Sequence, residues 1–173
     1  MYHDTMVMFA AYNRWCNERL FAAADALSDE EFRADRGVFF RSMLGTLNHI
    51  LVADRIWMRR FTGLGDAPTQ LDAILHEDRK ALGAARVAED QRIADWVAGL
   101  GEVDLAARFS YQTIAAPQAI TQTLAPALLH LFNHQTHHRG QAHSILTGLG
   151  CEAPSLDLIR FQRESGDRSV HYR

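Results

Sequence analysis

The segment from Thr123 to Gly148 most constrains the fold, because it reads as one long, largely apolar helix with imidazoles set in and around its middle. Thr123 stands at the start, Pro126 falls in the first turn where its missing N–H costs nothing, and Gly148 and Gly150 mark the stop. Five of the nine histidines in 173 residues lie in the window 130 to 143, where chance alone places about 0.7. A helix of that kind is stable only if its apolar face is covered by other helices.

Three further segments supply them. Apolar residues recur at helical spacing through Phe9, Tyr12, Cys16, Leu20, Ala23, Ala24 and Leu27, which predicts a helix over about 5–27. Ser28-Asp29-Glu30-Glu31 has the form of a capping box and restarts a short helix. A second long helix is expected from Ser42 to Phe61, with Gly63 as its stop. A third begins near Leu71 or His76, ends near Ala98, and reads as the most solvated of the four. Between Asp104 and Gln122, the β-prone pieces 109–113 and 119–122 flank Pro117 and suggest a crossover with a small hairpin. A short helical tail is expected around 156–163. The fold class is therefore all-α: an antiparallel four-helix bundle of one domain over 1–173, with a long crossover before the last long helix and a short C-terminal helix.

Within the last long helix, His134 and His138 are one turn apart, about 5–6 Å at Cβ, and can aim a nitrogen each at one ion. A catalytic metal site normally uses three protein ligands. The third candidate is His49 in Leu47-Asn48-His49-Ile50-Leu51, a polar pair inside an apolar helix that must find partners. The spacing H-x-x-x-H by itself is weak, expected roughly 0.5 times in a chain this rich in histidine, and hydrogen-bonded core histidines are the plain alternative. Gly45, Thr46 and Ala53 on the His49 helix are small, which leaves room either for a substrate or for close helix packing.

Around this core, other residues are read more cautiously. His137 is rotated about 100° from His138 and fits a supporting or intersubunit contact better than ligation. His130 is an alternative ligand or a polar tip, His143 is structural, and Gln141 bonds either a ligand or the core. Asp54 lies about 140° around the helix from His49 and reads as a surface or interhelical charge. Arg139 reads as solvated or salt-bridged, and Gly140 as permitting close helix approach. Tyr12, Asn13, Trp15 and Asn17 are core residues before they are pocket residues.

Composition removes several classes of function. A formal net charge of −3 provides no cationic field for phosphate, so nucleic-acid binding is disfavoured. Cys16 and Cys151 make no CxxC motif or disulfide framework, and no apolar run is long enough to span a bilayer, which points to the cytoplasm. No H-E-x-x-H glutamate marks a metalloprotease.

Taken together, Tyr12-Asn13-Arg14-Trp15-Cys16-Asn17-Glu18-Arg19-Leu20, the helical His49, Asn133-His134-Gln135-Thr136-His137-His138-Arg139-Gly140-Gln141 and Leu156-Asp157-Leu158-Ile159 resemble the DinB family of DinB/YfiT-like metalloenzymes across essentially the whole chain. The resemblance implies a four-helix bundle holding a divalent metal through His49, His134 and His138, with zinc or nickel favoured and iron an option. It also implies thiol S-transfer to small electrophiles, with a low-molecular-weight thiol as a partner, since relatives include thiol-dependent S-transferases and a maleylpyruvate isomerase. The alternatives are a non-catalytic metal-binding stress-response protein and a metal-dependent hydrolase. Apolar residues on several helix faces, together with the resemblance, lead us to expect a two-fold homodimer.

Overall fold

A computed structural model describes residues 2–114 and 116–166. Seven helices and one hairpin follow in the order α1 (Tyr2–Ala24), α2 (Asp29–Arg33), α3 (Met43–Thr62), α4 (Arg79–Ala98), α5 (Glu102–Ala106), β1 (Arg108–Gln112), β2 (Ala119–Thr123), α6 (Leu124–Gly148) and α7 (Leu158–Glu164). The chain is mostly helical, as the periodicity predicts, with a small two-stranded sheet added.

Helix ends follow local chemistry. Ser28 and Glu31 form the expected capping box at α2. Ser42 accepts from the Gly45 N–H to start α3, and Gly63, at φ 72°, donates its N–H to Arg59 to close it. Asp78 caps α4 through the Ala81 N–H, so this helix starts later than expected. Along α1, Met6, Ala10, Asn13, Asn17, Leu20 and Ala24 form one buried stripe spaced alternately four and three residues apart. By contrast, α3 is buried almost all round, from Met43 to Met58, and is the central helix.

The four long helices form a closed ring: α1 packs on α4 and α6, and α3 packs on the same two. Two apolar layers fill it. One joins Leu20 and Ala24 of α1 to Met43 and Leu47 of α3, Leu82 of α4 and Ile145 and Leu146 of α6. The other joins Met6 and Ala10 to Trp57 and Met58, Ile93 and Val97, and Ala127 to Phe132. Layer membership fixes direction, so α1 and α6 run one way while α3 and α4 run the other. The segment from α4 to α6, with α5 and the hairpin, therefore stays at one end. It is residues 64–78, between α3 and α4, that travel the length of the body, so the crossover lies earlier than the sequence suggests. The hairpin pairs Arg108 with Thr123 and Gln112 with Ala119 in antiparallel register, and its Phe109 and Tyr111 pack on the end layer.

Between the apolar layers sits a buried polar one. Arg86 of α4, 1% exposed, pairs through Nη1 with Asp54 of α3 at 2.7 Å and through Nη2 with Asp90 at 2.9 Å. Asp90 accepts from Asn13 at 3.3 Å and Asn17 at 2.9 Å on α1. Arg139 of α6 donates to the side-chain oxygens of Asn13, Asn17 and Gln135. All four long helices contribute to this one network. Burial lifts Asp54 to about 6 against the pull of Arg86. As its charge-rich sequence predicts, α4 is the least buried of the four long helices, yet its one buried stripe carries the central cation. Arg139 is buried rather than solvated, and Asn13 and Asn17 serve the network.

Candidate metal centre

His49 lies on α3 and His134 and His138 on α6, in helices that pack directly together. The structure brings all three imidazoles to one place, with one ligand atom from each within 4.8 Å of the others. His49 Nε2 and His134 Nε2 are 3.3 Å apart. The ring of His138 lies 4.4 Å, centroid to centroid, from each of the other two.

Hydrogen bonds settle which nitrogen of each anchored ring is free. His49 Nδ1 is 2.7 Å from the Leu71 carbonyl, which only accepts, so Nδ1 carries the proton and Nε2 keeps its lone pair. His138 Nδ1 donates in the same way to Gln141 Oε1 at 2.8 Å. This answers the question left open for Gln141: it orients a histidine. Burial is the main influence on all three rings, pushing His49 down to about 4, His134 down to about 3, and His138 below its ordinary value. At neutral pH the centre therefore holds three uncharged imidazoles.

The donor set fits a divalent ion. Two imidazole lone pairs 3.3 Å apart repel unless a proton or cation lies between them, and a tetrahedral ion with bonds of about 2.0–2.1 Å has donor–donor edges of about 3.3–3.4 Å.

Local sequence explains how the rings are held. Asn48, next to His49, accepts from the Leu75 and His76 N–H groups at 2.8 and 3.0 Å and donates to the His76 carbonyl at 3.1 Å. It thereby pins residues 64–78 across α3, where the Leu71 carbonyl can meet His49. The second Asn-His pair differs, since Asn133 is exposed. Phe40 was missed in the sequence. It stacks on His49 at 3.7 Å with its plane 15° away, and meets His138 edge-on at 5.4 Å. Arg41, at φ 66°, and the Val38–Arg41 bridge turn the chain to place it. Gly45 allows this approach, because a Cβ there would overlap the Phe40 carbonyl oxygen. Its small size serves the close approach of the backbone, and the only sequence signal for Phe40 was the doublet Phe39-Phe40 in a connecting segment.

The remaining candidates separate from the centre. Asp54 is buried and paired with Arg86. His143 bonds the Pro154 carbonyl at 3.1 Å, as its structural reading requires. His137 is exposed but adjoins the centre, with its ring 4.7 Å from that of His138 and Gln141 Nε2 at 3.4 Å, as a supporting contact requires. His130 packs on Trp57 at 5.1 Å and lies 5.9 Å from His134 between ring centres. Tyr12 and Trp15 pack on Phe161 of α7. Beside His49 and His134 opens a cavity of about 230 Å³, walled by Ala53, Ile56, Trp57, Arg60, Leu71, Thr113, Ile114 and His130.

The DinB family model matches residues 1–169. The chain belongs to the DinB family. Among curated proteins it is similar to Protein DinB of Bacillus subtilis (strain 168), with 26% identity over 155 residues covering 84% of this chain and 87% of that one. Among solved structures it is similar to a DinB-like protein from Bacillus cereus ATCC 10987, at 19% identity, with a TM-score of 0.64 over 90% of this chain and 99% of that one. That second likeness concerns the fold alone. No helix among the described residues is long and apolar enough to cross a membrane.

Proposed function

We propose that His49, His134 and His138 bind one divalent ion, and that this DinB protein is a metal-dependent transferase joining a small thiol to a small electrophile. The observation that carries the reading is the convergence of three imidazoles, two of them fixed from behind by Leu71 and Gln141, at the edge of a cavity. Three ligands leave room for a further one. Bound there, a divalent ion supplies the positive charge that favours the thiolate form of a cosubstrate. The chain's own contribution is to hold three neutral donors still, to cover His49 with Phe40, and to offer apolar walls that exclude water.

Thiol chemistry is favoured over hydrolysis because none of the residues lining the cavity is a carboxylate, leaving water without an acidic-residue base. A thiol needs less help, since its ordinary pKa lies about seven units below that of water. The non-catalytic reading expects a fourth protein ligand to close the site. Asp54 is committed to Arg86, and the cluster formed by the described residues has three members.

The test is elemental analysis of protein purified without an affinity tag, followed by cobalt substitution and titration with small thiols. One ion per chain and a new ligand-to-metal absorption on thiol addition are expected. A cobalt spectrum indifferent to every thiol offered removes the transferase reading. We further propose that the protein pairs as a two-fold dimer, because Phe39, Leu64, Val87 and Val103 stand exposed on its surface. A one-chain mass by light scattering across micromolar concentrations excludes that pairing.

A further inference from the structure

One wall of the cavity has no part in the chemistry above. Arg60, in the last turn of α3, lines it beside Trp57, Leu71 and His130. Its guanidinium lies 4.5 Å from the Trp57 ring centre and 4.6 Å from that of Tyr111, and Nη2 donates to the Gln112 carbonyl at 2.9 Å. Arg55 and Arg92 behave differently: Arg55 faces Glu89 at 3.9 Å, and Arg92 pairs with the same carboxylate at 3.0 Å. Among the described residues no carboxylate stands within ion-pair distance of Arg60. Burial pulls Arg60 below its ordinary pKa. A half-buried guanidinium that lines a cavity, gives one donor to a backbone carbonyl and pairs with no anion keeps further donors for a ligand bound there.

We propose that Arg60 is the anion-recognition residue of this cavity and that the electrophile is a small, flat molecule with an apolar body and a carboxylate. The planar fork of arginine matches a carboxylate in two parallel bonds. Trp57 and Tyr111 already hold that plane in place, so little side-chain entropy remains to be lost on binding. Ile56, Ala53 and Leu71 receive the apolar body, and the part remote from the carboxylate faces His49 and His134. This deepens the transferase reading and rests on it, because the electrophile has meaning only beside a metal-held thiol.

Benzoate and its neutral counterpart benzamide are suitable probes, titrated by calorimetry into the full chain after a chelator has removed metal. Omitting the metal prevents an ion from accepting the carboxylate in place of Arg60. Benzoate is expected to bind about tenfold or more tighter than benzamide, the usual effect of a charge-assisted pair. Arg60→Gln should erase that preference while leaving benzamide affinity and metal stoichiometry unchanged. In the 15N-labelled wild-type protein, benzoate but not benzamide should shift the Arg60 Nε–H resonance, a readout that does not depend on the variant folding. The proposal is overturned if benzoate fails to bind the metal-free protein, if its preference survives in Arg60→Gln, or if the variant weakens both probes equally. The last result would mean that Arg60 only clips the hairpin to α3. Metal stoichiometry, measured separately, shows whether the centre itself has failed.

Discussion

Each histidine in the centre is uncharged for the same reason, burial, and this has a calculable consequence. The folded-state values of about 4 for His49 and about 3 for His134 lie below the ordinary 6.5, so the folded metal-free chain binds fewer protons than the unfolded one. Their contribution to stability is present above pH ~6.5 and is lost as pH falls from there toward the folded values. Thermal melts of metal-free protein should therefore drop progressively between about pH 6.5 and 4, and His134→Gln should flatten part of that slope. The His134→Ala, His138→Ala double variant should retain no stoichiometric metal by elemental analysis. Gly45→Ala tests the Phe40 cover. The helix gains propensity worth about 1 kcal/mol, but displacing the Phe40 carbonyl costs about 1–3 kcal/mol, so the net expected result is a lower melting temperature and weaker metal affinity.

Among the elements, the connection 64–78 depends on Asn48 more than on any contact of its own. Asn48→Ala removes an acceptor shared by the Leu75 and His76 N–H groups, with an expected loss of about 1–3 kcal/mol in chemical denaturation and faster amide exchange across residues 71–76. This connection also shows where the sequence was legible and where it was not. Helices α1, α3 and α6 were readable because apolar periodicity and caps such as Ser42 and Gly63 act locally, and the spacing of His134 and His138 needs only helical geometry. The role of the Asn48-His49 pair was visible as a demand for partners, but the partners themselves, Leu71 and His76, lie more than twenty residues away in a segment with no period. The same holds for Phe40 and Arg60, whose tasks are set by tertiary approach. The charge-rich sequence of α4 made its solvated character legible, but nothing local told which of its charges, Arg86 among them, the ring would enclose.

At the scale of the whole molecule, two apolar layers and the polar layer between them hold the ring without help from the metal centre. Removing metal with a chelator should leave helical circular dichroism largely intact, unlike a zinc finger, which unfolds when stripped. Arg86→Met, in contrast, leaves Asp54 and Asp90 buried without their cation and should cost about 3–5 kcal/mol in denaturant titration, with metal stoichiometry preserved in whatever fraction stays folded.

The division of labour around the cavity has an evolutionary reading. His49, His134 and His138 stand on long helices locked by the buried layer, whereas Leu71, Thr113 and Ile114 come from connecting segments. Connecting segments tolerate insertion and deletion far better than packed helices do. A lineage can therefore lengthen or shorten the hairpin tip and so change which molecules enter, while the histidines and the Leu71 carbonyl behind His49 keep their places.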